Sequence, residues 1–98
     1  MIEIIWSPLS IERLEDIIDY IAYDSPESAN SWLDKIFDKI DLLKENPRLG
    51  RIVPEINIEN IREIIFGYYR IIYQYDETFV KILTVRNFKR ILPIEELE

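Results

Sequence analysis

The first apolar run, Ile2, Ile4, Ile5 and Trp6, is short and stops at Ser7-Pro8. A β-branched run of that length, closed by a proline, predicts a strand over residues 2–6. Ser7 offers an oxygen to cap a helix, and Pro8 needs no N–H at the first helical position, so a helix begins there. Leu14, Ile17, Ile18 and Ile21 then recur at the spacing of one buried helical face. Asp24-Ser25-Pro26 repeats the start signal. Ala29, Trp32, Leu33, Ile36, Phe37, Ile40 and Leu43 follow with the same period until Asn46-Pro47 ends it. Two helices joined this closely form a hairpin.

Residues 48–60 show no period, and Gly50 and Pro54 mark them as a loop, longer than most connections in compact domains and of the kind that is often functional. Beyond it lie three β-rich runs, 61–66, 68–75 and 79–86, separated by Gly67 and Asp76-Glu77. They predict an antiparallel meander. In the middle run Tyr69, Ile71, Tyr73 and Tyr75 share one face, and Tyr68, Arg70, Ile72 and Gln74 the other. The predicted class is α+β in the order β-α-α-β-β-β, with the helical hairpin on one face of a four-stranded, mainly antiparallel twisted sheet. That packing requires Leu14, Ile17, Ile18, Ile21, Trp32, Leu33, Ile36 and Phe37 to be mostly buried. The tail from Pro93 through Ile94 to Glu98 reads as a short helical turn or a frayed end.

The length of 98 residues makes residues 1–98 a single domain. A chain this short buries only about 60–68% of the surface its unfolded form exposes, so a bound partner would add to its stability. No apolar run approaches the roughly 18 residues of a membrane span, and the N-terminus lacks a signal-peptide pattern, which predicts a cytoplasmic protein. Cysteine and histidine are absent, which removes thiolate chemistry, disulfides and the commonest metal ligand; no cofactor is expected.

The net charge of −7 is unevenly placed. Residues 1–47 carry eleven acids against four bases, whereas residues 48–98 carry eight of each. Glu12, Glu15, Asp16, Asp19, Asp34, Asp38 and Asp41 fall on the outer helical faces and read as solvated surface. Lys81, Arg86, Lys89 and Arg90 lie within ten residues that contain no acid, a local basic patch.

The residues at the joints of this pattern resemble the RelE/ParE toxin family over nearly the whole chain. The stretches concerned are Trp6-Ser7-Pro8, Asp19-Tyr20-Ile21, Asn46-Pro47-Arg48-Leu49-Gly50-Arg51, Arg62-Glu63, Tyr69-Arg70-Ile71-Ile72-Tyr73 and Val85-Arg86-Asn87-Phe88-Lys89-Arg90. The resemblance implies a toxin from a type II toxin–antitoxin pair, neutralised by a cognate antitoxin. RelE-type members cut messenger RNA in the ribosome with a lysine pair on the strand after the loop, arginines on the next strand and after the last, and a tyrosine near the C-terminus. A ribonuclease without metal needs such cationic and proton-transferring groups. Aligned on Tyr69-Arg70, this chain has Ile61 and Glu63 in the lysine slots and Ile94 near the tyrosine slot. A carboxylate there opposes the charge the site must stabilise. ParE-type members lack that site and inhibit DNA gyrase, so the resemblance points to the ParE branch, with the ribosome and messenger RNA as the alternative target and an inactive family member as a third reading.

The residues expected to meet target or antitoxin are Arg51, Arg70, Lys81, Arg86, Lys89 and Arg90. Each has a structural alternative. The basic patch serves equally as a solvated edge that keeps the last strand from pairing with neighbours. Arg70 pairs with Glu63 or another acid across the sheet, or remains as a weak catalytic candidate. Arg48, Arg51 and Glu55 brace the long loop by ion pairs. Tyr68, Tyr69, Tyr73 and Tyr75 read mainly as packing rather than as base-stacking groups.

Overall fold

The computed structural model describes residues 2–87 and residue 96. Lys89, Arg90, Ile94 and the tail expected as a turn or frayed end lie outside the described residues, apart from Glu96. The chain runs β1 (Glu3–Trp6), α1 (Pro8–Asp24), α2 (Pro26–Asp41), two short 3-10 turns (Leu42–Lys44 and Pro47–Leu49), β2 (Arg51–Ile52), β3 (Ile61–Phe66), β4 (Tyr69–Tyr75) and β5 (Phe79–Asn87). Both helix starts form as the sequence dictates. The Ser10 N–H donates to Ser7 Oγ at 3.0 Å and the Ser28 N–H to Ser25 Oγ at 3.1 Å. Ser25 also closes α1, its own N–H donating to the Ile21 carbonyl at 3.1 Å. One residue thus serves as the entire connection of the hairpin.

The sheet order is β1-β5-β4-β3-β2, with β1 parallel to β5 and the other pairs antiparallel. Five strands form where four were expected. The extra one, β2, is two residues long, too short to leave a period within residues 48–60. The turn between β3 and β4 takes in Tyr68 as well as Gly67, which sits at φ 60. The sheet divides the interior in two. Toward the helices, Leu14, Ile36, Ile40 and Leu43 pack on Ile64, Ile71, Tyr73, Val80, Ile82 and Val85. On the other face, Val53 and Ile56 of the long loop cover Ile61, Ile72 and Leu83. A register shift in the β4–β5 pairing, from Ile72 opposite Thr84 to Tyr73 opposite Ile82, leaves Leu83 as the extra residue. It therefore joins the second core while Ile82 and Val85 stay in the first.

The helical face is less deeply buried than its pattern suggested. Leu14 and Ile36 are buried; Ile17, Ile18, Ile21, Trp32 and Leu33 are half-buried, and Phe37 is 40% exposed. A two-helix layer on a wider sheet leaves its flanks open to water. Phe37 lies on such a flank, standing edge-on to Trp6 with ring centroids 5.8 Å apart.

Tyr73 fastens the start of the loop to the main core. Its ring is fully buried, its hydroxyl donates to the Pro47 carbonyl at 2.6 Å and accepts from the Gly50 N–H at 2.9 Å. Gly50 must approach closely: a Cβ there would collide with the Glu63 carbonyl and lie 2.7 Å from the Tyr73 hydroxyl. Tyr73→Phe keeps the ring but strands a buried N–H and carbonyl, and should cost about 1–3 kcal/mol in urea denaturation. Gly50→Ala should cost a comparable amount through overpacking, about 1–3 kcal/mol. Unchanged denaturation midpoints in both would show that this anchor contributes nothing.

Candidate functional site

Residues directly opposite one another on neighbouring strands point to the same face of a sheet. Arg51 lies opposite Glu63, Glu63 opposite Ile72, and Ile72 opposite Thr84, forming one row across the sheet. Ile65, Arg70 and Arg86 form a second row, and Gln74 and Lys81 belong to a third. All four candidate cations among the described residues, Arg51, Arg70, Lys81 and Arg86, therefore share the face away from the helices. Strand pairing sets these four, spread over 35 positions from Arg51 to Arg86, on one face.

Most of that positive charge is matched internally. The Glu63 side chain is completely buried and accepts from Arg51 Nε at 2.6 Å and from Arg70 Nε at 2.7 Å. Arg70 also donates through its two terminal nitrogens to both oxygens of Glu55, at 2.7 and 2.8 Å, a two-pronged pairing. Glu55 is the largest influence on the Arg70 guanidinium and, with Glu63, raises its pKa further above the ordinary arginine value against the opposing effect of burial. This cation stays charged at any pH at which the protein is folded. Arg70, expected to contact target or antitoxin, is only 5% exposed.

Arg86 has a similar fate at the far end of the sheet. Its Nη1 donates to Glu96 at 2.6 Å, and the same carboxylate accepts from Thr84 Oγ1 at 2.8 Å and Arg13 Nη2 at 3.2 Å. Burial pushes the Glu96 carboxyl up, but Thr84, Arg13 and Arg86 together outweigh it and leave the pKa lowered. This cluster leaves no mark in the linear pattern, since Arg13 sits 83 residues from Glu96 and on a helix. Lys81 is half-buried and makes no ion pair among the described residues, while the Arg51 side chain is 65% exposed beyond its bond to Glu63.

The loop residues read as braces do form ion pairs: Glu55 with Arg70, and Arg48 with Glu59 at 3.4 Å. Arg62, noted only as part of a motif, adds to them by donating to the Gly50 carbonyl at 3.0 Å and to Glu59 at 3.1 Å. Ile61 and Glu63, in the positions where a ribonuclease of the RelE type carries lysines, are both buried beneath the loop. Among the described residues no group of three or more acidic side chains is placed to hold a metal ion, and no helix is long and apolar enough to cross a membrane.

Removing one partner of a buried, hydrogen-bonded ion pair strands the other charge. Glu63→Ala should therefore destabilise by about 3–5 kcal/mol in urea denaturation, and Arg70→Ala by a similar amount. Glu55→Ala should cost clearly less, because that carboxylate is 30% exposed and Arg70 keeps Glu63. Equal costs at 55 and 63 would refute this ranking. The depressed Glu96 carboxyl contributes stability in full above its ordinary value of 4.5, and that contribution is lost as the pH falls through the lower folded value. Glu96→Gln should flatten the acid side of the stability curve below pH 4.5 without changing its slope near neutrality.

A family model described as "ParE toxin of type II toxin-antitoxin system, parDE" matches residues 4–92. No curated protein matches the chain. Among solved structures, one described as "Chromosomal ParDE TA system from P. aeruginosa" superimposes with a TM-score of 0.72 at 18% identity, covering 89% of this chain and 96% of that one. That likeness bears on the fold, which is shared. The family model spans most of the sequence, and the chain belongs to the ParE family of toxins from type II toxin–antitoxin systems.

Proposed function

We propose that this toxin acts by binding, inhibiting DNA gyrase without chemistry of its own, and that a cognate antitoxin neutralises it in the cytoplasm. The observation that carries this reading is the state of the sheet face where a ribonuclease would need mobile, solvent-facing cations. Ile61 and Glu63 are buried there, and Arg70 is held between two carboxylates. Losing a proton-transferring group costs about 10²–10⁴ in rate, so the absence of several leaves negligible cleavage. A binding surface has no such requirement. Lys81, Lys89 and Arg90, with the outer part of Arg51, are the cations we assign to contact with target or antitoxin, whereas Arg86 is matched by Glu96.

Expressed without its antitoxin, the protein should inhibit gyrase supercoiling in vitro and leave messenger RNA ends unchanged after induction. Replacing Lys89 and Arg90 together should weaken toxicity strongly. Arg70→Ala should reduce it only as far as it reduces the amount of folded protein. Codon-positioned cleavage of messenger RNA would instead favour the ribonuclease reading; no effect in either assay would favour another target or an inactive member.

The antitoxin should fold onto the toxin as an extended, partly disordered partner. Any part of it crossing the strongly acidic helical hairpin should be basic, so its affinity should fall with added salt. Salt-independent binding would refute that charge match.

A further inference from the structure

β1 is an edge strand: it pairs with β5 on one side, and among the described residues nothing pairs with the other. Exposed edges are commonly guarded by lysine, proline or a bulge, and β1 has none of these. The Glu3 N–H donates to the Thr78 carbonyl at 3.1 Å and the Ser7 N–H to the Ile82 carbonyl at 3.0 Å. Glu3, Ile5 and Ser7 therefore turn their main-chain groups toward β5. By the alternation of a strand, the N–H and carbonyl of Ile2, Ile4 and Trp6 point away from the sheet.

The side chains of this edge alternate as well. Ile2, Ile4 and Trp6 lie on the helical side at the open margin of the main core, none of them fully buried, and Phe37, 40% exposed, stands against Trp6. A recess of 480 Å³ lined by Ile2, Glu3, Ile4 and Lys44 opens beside the strand. Glu3 and Ile5 face the other way, in register with Phe79 and Lys81. Glu3 is exposed and Lys81 half-buried, and neither makes an ion pair among the described residues. An acid and a base thus lie unmatched on one face of neighbouring strands, with Glu3 opposite Phe79 rather than Lys81.

We propose that β1 pairs with β1 of a second copy of this chain, antiparallel and centred on Ile4, so that the two sheets join into one. The contact is isologous, the same strand serving on both sides of a twofold axis. Ile4 meets Ile4 of the second copy, and Ile2 meets Trp6. All three carry outward main-chain groups, so each pair exchanges hydrogen bonds, and the register ends short of Pro8, where the chain turns into α1. On the helical side the pairing sets Ile4 against Ile4 and Ile2 against Trp6, next to Phe37. On the other side it sets Glu3 of each copy opposite Ile5 of the other, one strand from Lys81. A lysine side chain extended past Ile5, itself 38% exposed, then reaches the carboxylate it lacks within its own chain. The strand is only four residues long, so the dimer is a weak, reversible one that forms at high concentration.

The test uses the full chain without any partner protein. Sedimentation should show monomer passing to dimer between micromolar and millimolar concentration. Over the same range the Ile4 amide should exchange with deuterium about tenfold more slowly, while the Ile5 amide, already turned toward β5, should change little. Glu3→Lys and Lys81→Glu should each weaken dimerisation about tenfold, and the two together should restore it. The chain has no cysteine, so Ile4→Cys supplies a single thiol whose Cα lies about 5.5 Å from its counterpart, a span that a disulfide accepts. It should cross-link under mild oxidation, whereas Ile5→Cys, displaced from the axis, should not. A chain that stays monomeric at millimolar concentration, or that dimerises with unaltered exchange at Ile4, would overturn the proposal. Charge variants that dimerise as well as the wild type would refute this register. Slowing at Ile4 only when the protein encoded by the adjacent reading frame is added would make a partner segment the occupant of the edge and refute the second copy.

Discussion

Glu63 is a carboxylate with no contact with water, placed in the middle of a sheet face and held between two arginines. A buried charge is tolerated only where its hydrogen-bonding capacity is met, and here each oxygen finds a guanidinium. Arg70 in turn requires Glu55, which belongs to the long loop, so the ion network draws that loop down over the sheet. Val53 and Ile56 then cover Ile61, Ile72 and Leu83. The same loop is fixed at its other end by Tyr73, acting from the opposite side of β4 through Pro47 and Gly50. An irregular stretch without a period is thereby tied to the sheet at several points along its length.

The functional consequence follows from charge accounting. Guanidinium groups, a chemistry suited to phosphate, are here matched by carboxylates from the chain itself: Arg70 by Glu55 and Glu63, Arg86 and Arg13 by Glu96. Such pairing fixes the arrangement of the side chains on the sheet face. Whether a buried network of this kind adds net stability over apolar packing varies between proteins, but breaking half of it is always costly. The charge left in water lies at the margins: the acidic outer rows of the helices and the outer part of Arg51.

The short connections and the long loop divide the work between them. Ser25 ends one helix and starts the next, which fixes the hairpin with no slack. The β-strands are joined by equally short turns, at Gly67-Tyr68 and around Asp76, whose carboxylate accepts from the N–H groups of Thr78 and Phe79. These local contacts leave one long excursion, and the fold uses it as a third layer.

The sequence by itself determined the elements. Ser-Pro pairs start both helices, a 3.6-residue period defines their buried face, and a two-residue period separates Tyr69, Ile71 and Tyr73 from Arg70 and Ile72, because these signals act between residues close in the chain. It also marked Arg70 and Glu63 as possible partners, since cross-strand charge pairs follow from register. Which further side chains surround those residues is a matter of tertiary packing. That β2 exists, that Leu83 changes face at a bulge, that Glu55 completes the pairing of Arg70, and that Arg13 meets Glu96 across 83 residues all depend on distances set by packing. A linear pattern carries no record of which distant side chain will stand beside a buried charge, and in this protein those choices hold Arg70 between Glu55 and Glu63.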